Sequence, residues 1–194
     1  MKILPLTALT IALAFCVQAG PIVYTTNLSG ANEAPPNASP GIGFATVTYN
    51  DVLHTLALDI SFSGLLGTTT ASHIHCCTAV ADAGTAGVAT TTPTFSGFPL
   101  GVTSGTYSNT LDLTLATSWN PAFITAQGTI AAAEAALAAG LASGTSYLNI
   151  HTTVVPGGEI RGFLTAQAPE PSSALLLMLP LAGLAFVRRR KTTR

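Results

Sequence analysis

The sequence predicts an all-β domain, an antiparallel β-sandwich or barrel-like sheet with one short Ala-rich helix. An N-terminal signal peptide precedes this domain and a C-terminal hydrophobic helix follows it. Three observations carry the expectation. Several short runs alternate apolar and polar residues with period two, clusters of Gly, Pro, Ser and Thr separate them, and only one stretch is both free of Pro and dense in Ala.

The alternation is clearest in two adjacent runs. In "GFATVTYND", Ala45, Val47 and Tyr49 share one parity and Phe44 the other, and Asn50-Asp51 then signals a turn. "HTLALDISFSG" resumes with Leu56, Leu58, Ile60 and Phe62 on one face and Thr55, Ala57, Asp59 and Ser61 on the other. The two runs therefore read as a hairpin. Further strands are expected in "IVYTTNLSG", "ASHIHC", "YSNTLDLTL", "SYLNIHTTV" and "GEIRGFLTA". "TIAAAEAALAAGLASG" favours helix, with Gly140 and Gly144 near its end. Thr78 to Gly105 reads as long loops with a short strand around Gly87 to Thr91, and loops of that length often carry binding surfaces.

The two ends have a different composition. Residues 1–19 join Lys2, an apolar run from Ile3 to Val17, and small residues before position 20, the layout of a secretory signal peptide. Residues 169–194 join Pro169-Glu170-Pro171, an uncharged stretch at 172–187, and a basic tail at 188–194 that begins Arg188-Arg189-Arg190. Sixteen residues of helix reach about 24 Å, slightly short of a ~30 Å hydrocarbon core. The tail would stay cytoplasmic and leave the domain outside the inner membrane. This arrangement resembles the PEP-CTERM sorting signal of Gram-negative bacteria. The resemblance implies an inner-membrane intermediate, cleavage near Pro169 to Pro171 by an exosortase, and delivery to the cell surface or an exopolysaccharide matrix.

Residues 20–168 then form one domain. From residue 20 to 171 there are eight acidic side chains against the single base Arg161, a balance of -7. Such a surface repels phosphate backbones and excludes nucleic acid as a partner. Cys16 leaves with the signal peptide, so Cys76 and Cys77 are the only cysteines of the mature chain. Neighbouring Cα atoms are ~3.8 Å apart, against ~4.4 to 6.8 Å in most disulfides. A vicinal disulfide and two free thiols both stay open.

"TASHIHCCTA" places His73 and His75 on one face of a strand, about 6.5 to 7 Å apart, with Ile74 opposed. In "YLNIHTT", Tyr147, Asn149 and His151 share a parity, so His151 joins the pair if the two strands are neighbours. Imidazole nitrogens at this spacing suit zinc or copper rather than calcium. Cys77 shares the parity of the two histidines on a regular strand and is a further candidate ligand. The plainer alternative is a polar cluster in which each ring hydrogen-bonds a backbone carbonyl or Asn149.

Three segments, "LSGANEAPP" at 28–36, "ASHIHC" at 71–76 and "YLNIHTTVVPGGEIRGFL" at 147–164, resemble the CHRD domain in order and content. The resemblance covers most of residues 22–167 and implies an all-β fold. It puts the family's polar positions on Glu33, His73, His75, Asn149, His151, Glu159 and Arg161. Arg161 is expected to pair with Glu159, which shares its parity, or to reach Glu33, and so form a structural polar pair. The alternative role for Arg161 is contact with an anionic ligand.

The function expected is that of an exported, non-catalytic surface or matrix protein that binds polysaccharide, another surface protein or a metal. No Gly-x-Ser-x-Gly elbow is present, and Ser72 and His73 face opposite ways on a strand. Two alternatives are a zinc- or copper-binding protein and a metalloenzyme loosely similar to copper-zinc superoxide dismutase, the latter by fold-level analogy. Trp119, Tyr107 and Tyr147 are the aromatics considered for stacking a sugar.

Overall fold

The computed structural model describes residues 20–167. The signal peptide at 1–19 and the sorting segment at 169–194, with its hydrophobic helix and basic tail, lie outside the described residues.

The strands are β1 (Ile22–Ser29), β2 (Ile42–Asn50), β3 (Thr55–Ser63), β4 (Thr69–His75), β5 (Gly105–Asp112), β6 (Tyr147–Thr152), β7 (Ile160–Phe163) and β8 (Thr165–Ala166). They form one antiparallel sheet in the order β4-β6-β7-β1-β2-β3-β5, with β8 also paired to β1. The expected hairpin is β2 and β3, paired without a slip from Ile42↔Ser63 to Asn50↔Thr55. The segment leading into β5 turns back to the opposite edge, where Thr69 N donates to Val102 O and Gly101 N to Thr69 O. A single curled sheet, rather than two stacked ones, is therefore the all-β arrangement adopted.

Among the described residues two α-helices are present where one Ala-rich helix was expected. The Ala-rich one, α2 (Ile130–Ala142), is capped by the Thr129 side chain. Before it stands α1 (Pro121–Gln127), with Asn120 accepting from Ala122 N, Pro121 in the first turn and Gly128 at φ +94°. Seven residues are too few to display a helical period, so only these capping residues announced it. The strand expected around Gly87 to Thr91 is reduced to isolated bridges, His75 with Val88 and Thr90 with Trp119.

Alternation gives the sheet two unlike faces. Tyr24, Leu28, Val47, Leu58, Ile60, Ile74, Leu148 and Ile150 pack inward against Leu137 and Leu141 of α2, with Trp119 and Phe95. This burial is the main stabilising contribution. The outer face is bare on β2, where Phe44 and Ile42 are exposed. On β4, β6 and β7 the outer parity carries His73, His75, Tyr147, Asn149, His151 and Arg161, and loops cover it so that most of these polar residues are buried.

Candidate metal centre

The pairing of β4 with β6 sets His73 opposite Asn149, His75 opposite Tyr147 and Ala71 opposite His151. His151 thus lies diagonal to His73, within reach of a ring. The ring centroids of His73 and His75 are 4.7 Å apart and those of His73 and His151 are 4.8 Å apart. One ligand atom from each of the three lies within 4.8 Å of the others.

Three backbone carbonyls, two on the β4–β5 loop and one on the β6–β7 loop, fix the orientation of the rings. His73 Nδ1 lies 3.2 Å from Pro93 O, His75 Nδ1 2.8 Å from Ala86 O, and His151 Nδ1 2.8 Å from Pro156 O. A carbonyl oxygen can only accept, so each Nδ1 carries the proton and each neutral ring keeps its lone pair on Nε2. Those lone pairs face one another. The Nε2 atoms of His73 and His151 are 2.9 Å apart, and the buried Nε2 of His75 has no hydrogen-bond partner.

Protonation does not readily relieve this crowding. Burial first, then His75 and His151, hold His73 down at about 3. Burial holds His75 down at about 4 despite its bond to Ala86 O, and burial also lowers His151. A cation held at ~2.0 to 2.1 Å from each nitrogen would relieve the facing lone pairs instead. Tetrahedral ligation at that distance separates two nitrogens by about 3.3 Å, only a few tenths beyond the gap between His73 and His151. The carbonyl-held Nδ1–H groups are the outer-shell support that metal-binding histidines use. Three imidazoles suit zinc or copper, and half-buried His151 marks the solvent side of the cluster.

The neighbouring outer-face residues brace the histidines. Tyr147 stacks on His75 at 4.6 Å with 6° between planes, and its hydroxyl meets both the amide and the carbonyl of Ala86. Arg161 lies over the Tyr147 ring at 4.7 Å and donates to Asn32 O and Gly84 O. Of its two expected carboxylate partners, Arg161 meets Glu33, at 3.8 Å. Glu159 is turned to Ser39, Thr152 and the amides of Leu66 and Gly67. Burial raises the Glu159 carboxyl, but these four donors outweigh it and hold it low. Glu33 differs, because burial overcomes the pull of Arg161 and the Ala34 amide and lifts it to about 7.

Cys77 is not one of the converging groups. Its sulfur is bonded to Cys76, and both sulfurs lie against Ala136 O of α2. The strand parity that aligned Cys77 with the histidines ends at His75, where β4 stops. The aromatics considered for sugar stacking are also unavailable to solvent. Trp119, Tyr107 and Tyr147 are 2%, 7% and 2% exposed, and Phe44, which sequence reasoning passed over, is 44% exposed. The sorting residues Pro169 to Pro171 and Arg188 to Arg190 lie outside the described residues.

Comparison with protein families matches residues 24–164 to the CHRD domain. Searches of curated proteins and of solved structures return no match.

Proposed function

The chain belongs to the CHRD domain family, and from that premise we propose that it is a non-catalytic binding module holding one zinc or copper ion on His73, His75 and His151. One observation carries this reading. Three Nε2 lone pairs converge between buried His73, buried His75 and half-buried His151, while every Nδ1 is committed to a backbone carbonyl. Elemental analysis of the untagged full chain should find about one equivalent of zinc or copper. His73→Ala should abolish retention, and a double His73→Ala, His151→Ala variant that still keeps a full equivalent would sink the assignment.

The module acts outside the cytoplasm, at the cell surface or in an exopolysaccharide matrix of a Gram-negative bacterium. The signal-peptide layout at 1–19 and the Pro-Glu-Pro, apolar helix and Arg series at 169–194 support this. An exosortase is the processing partner, the inner membrane is a transient host for 172–187, and surface proteins or matrix polysaccharide are the lasting contacts. Mass spectrometry of protein recovered from the matrix should find a C-terminus near Pro169 to Pro171. A recovered chain that still carries Arg188 to Arg190 would refute processing.

The half-exposed His151 favours one second reading. A three-histidine set with an open fourth position is the arrangement of catalytic zinc sites. Metal-loaded protein with activity no greater than the same concentration of free zinc or copper would dispose of it.

A further inference from the structure

We infer that a polar cleft between Phe44 and Phe163 on the outer face of the sheet binds a neutral saccharide chain. This site is separate from the histidine cluster, and the inference rests on the matrix reading only for the natural source of the sugar.

The cleft has a volume of about 600 Å³, and Asn27, Glu33, Phe44, Asp82, Arg161 and Phe163 are among the residues that line it. The register explains how they meet. Asn27 pairs with Phe44 across β1 and β2, and Ser29 pairs with Arg161 across β1 and β7. Continuing the second pairing sets Phe163 on the other side of Asn27, so the two aromatic rings stand two strands apart, roughly 9.5 Å. Phe44 also borders two further clefts of about 760 and 310 Å³ that run over β2, β3 and β5. Ser61 and Thr106 line both of these, and Asp59 and Ser108 line the second. An extended ligand can therefore continue past Phe44 along a row of hydroxyl groups.

The chemistry of the lining selects the ligand. Arg161 repels a cation, while Asp82 and the acidic excess of the domain repel an anion. The occupant must be uncharged overall, yet it must both donate and accept hydrogen bonds to meet guanidinium, amide, carboxyl and hydroxyl groups together. Asn27 and Asp82 are exposed and offer an amide and a carboxylate to the cleft. Sugar hydroxyls meet both demands, and the C–H faces of a pyranose ring pack on an aromatic ring. A protein partner would be expected to use a larger apolar centre than one exposed Phe and Ile42. A membrane surface would call for basic residues, and this domain has only Arg161.

Native affinity electrophoresis of the full chain, in a polyoxyethylene detergent that carries no sugar, tests the inference. Gels are cast with hydroxyethyl cellulose, with dextran or with alginate. Retardation by at least one of the two neutral polymers, little or none by alginate, and at least a tenfold weaker effect for Phe44→Ala and Asn27→Ala support it. Both side chains are substantially exposed, so the variants should fold, and an unchanged melting temperature and zinc content check this. Wild-type protein that moves freely through both neutral gels, or Phe44→Ala retarded as strongly as wild type, overturns it. Equal retardation by alginate also overturns it, because the charge argument would then be wrong. Neither the zinc measurement nor the matrix fractionation depends on Phe44, so failure here leaves the metal and location readings to stand or fall separately.

Discussion

At the scale of single residues, the site depends on which nitrogen of each histidine is free. Pro93, Ala86 and Pro156 supply only backbone oxygens, yet they decide that all three Nε2 atoms point inward. His151→Ala should weaken zinc binding more than tenfold by isothermal titration while leaving the circular dichroism spectrum unchanged, since His151 is only half buried. Arg161 is 4% exposed and has contacts from four directions, namely Glu33, Asn32, Gly84 and the Tyr147 ring. Arg161→Ala should cost about 3 to 5 kcal/mol in denaturant unfolding, because it strips the cation from a buried pair. Glu33→Gln should cost clearly less, since burial already raises that carboxyl to about 7 and the amide resembles its neutral form. Equal losses for the two variants would contradict this account. The H-x-H spacing and the parity of His151 were legible in the sequence, but the carbonyl partners were not, because a backbone oxygen leaves no residue signature.

At the scale of elements, α2 is held against the strand end that carries the histidines. A Cβ added at Gly140 would lie 2.5 Å from Cys76 Sγ, 2.6 Å from Cys77 Sγ and 2.6 Å from Ser146 Oγ. Gly140 is therefore set by packing rather than by the helix ending that its position in the sequence indicated, since α2 continues to Ala142. Gly140→Ala improves helix propensity but overpacks this contact, so a net loss of about 1 to 3 kcal/mol is expected in thermal unfolding. A gain in stability would mean that the helix can shift away. Period-two alternation located the hairpin and most strands, and Ala content located α2. It could not locate α1, which seven residues and two caps define.

At the scale of the whole molecule, pH links folding to the buried histidines. In the metal-free protein His73 and His75 titrate near 3 and 4 when folded, against ~6.5 when unfolded. The unfolded state therefore binds more protons between these values, and stability falls as pH drops from about 6.5 toward 4. Glu33 acts in the opposite sense, because its folded value of about 7 exceeds the unfolded one and its contribution is lost as pH rises toward 7. Two histidines outweigh one carboxyl below about 6, so the melting temperature of metal-free protein should fall on acidification from pH 6 to 4. Replacing both histidines with Gln should flatten that slope, and an unchanged slope would mean that other groups govern acid unfolding.

The sequence by itself determined the all-β class, the hairpin, the family and the identity of the histidines that meet, because period-two alternation and residue type are local properties of the chain. The tertiary structure decided what those residues face. Strand order placed β4 beside β6 and β7 beside β1, although many residues separate the partners in the chain. That order made three histidines neighbours, turned Arg161 to Glu33 rather than Glu159, buried the aromatics considered as candidates for stacking a sugar and left Phe44 outside. Alternation assigns each side chain to one of two faces, but which face is covered, and by which loop, depends on long-range packing that no local pattern contains.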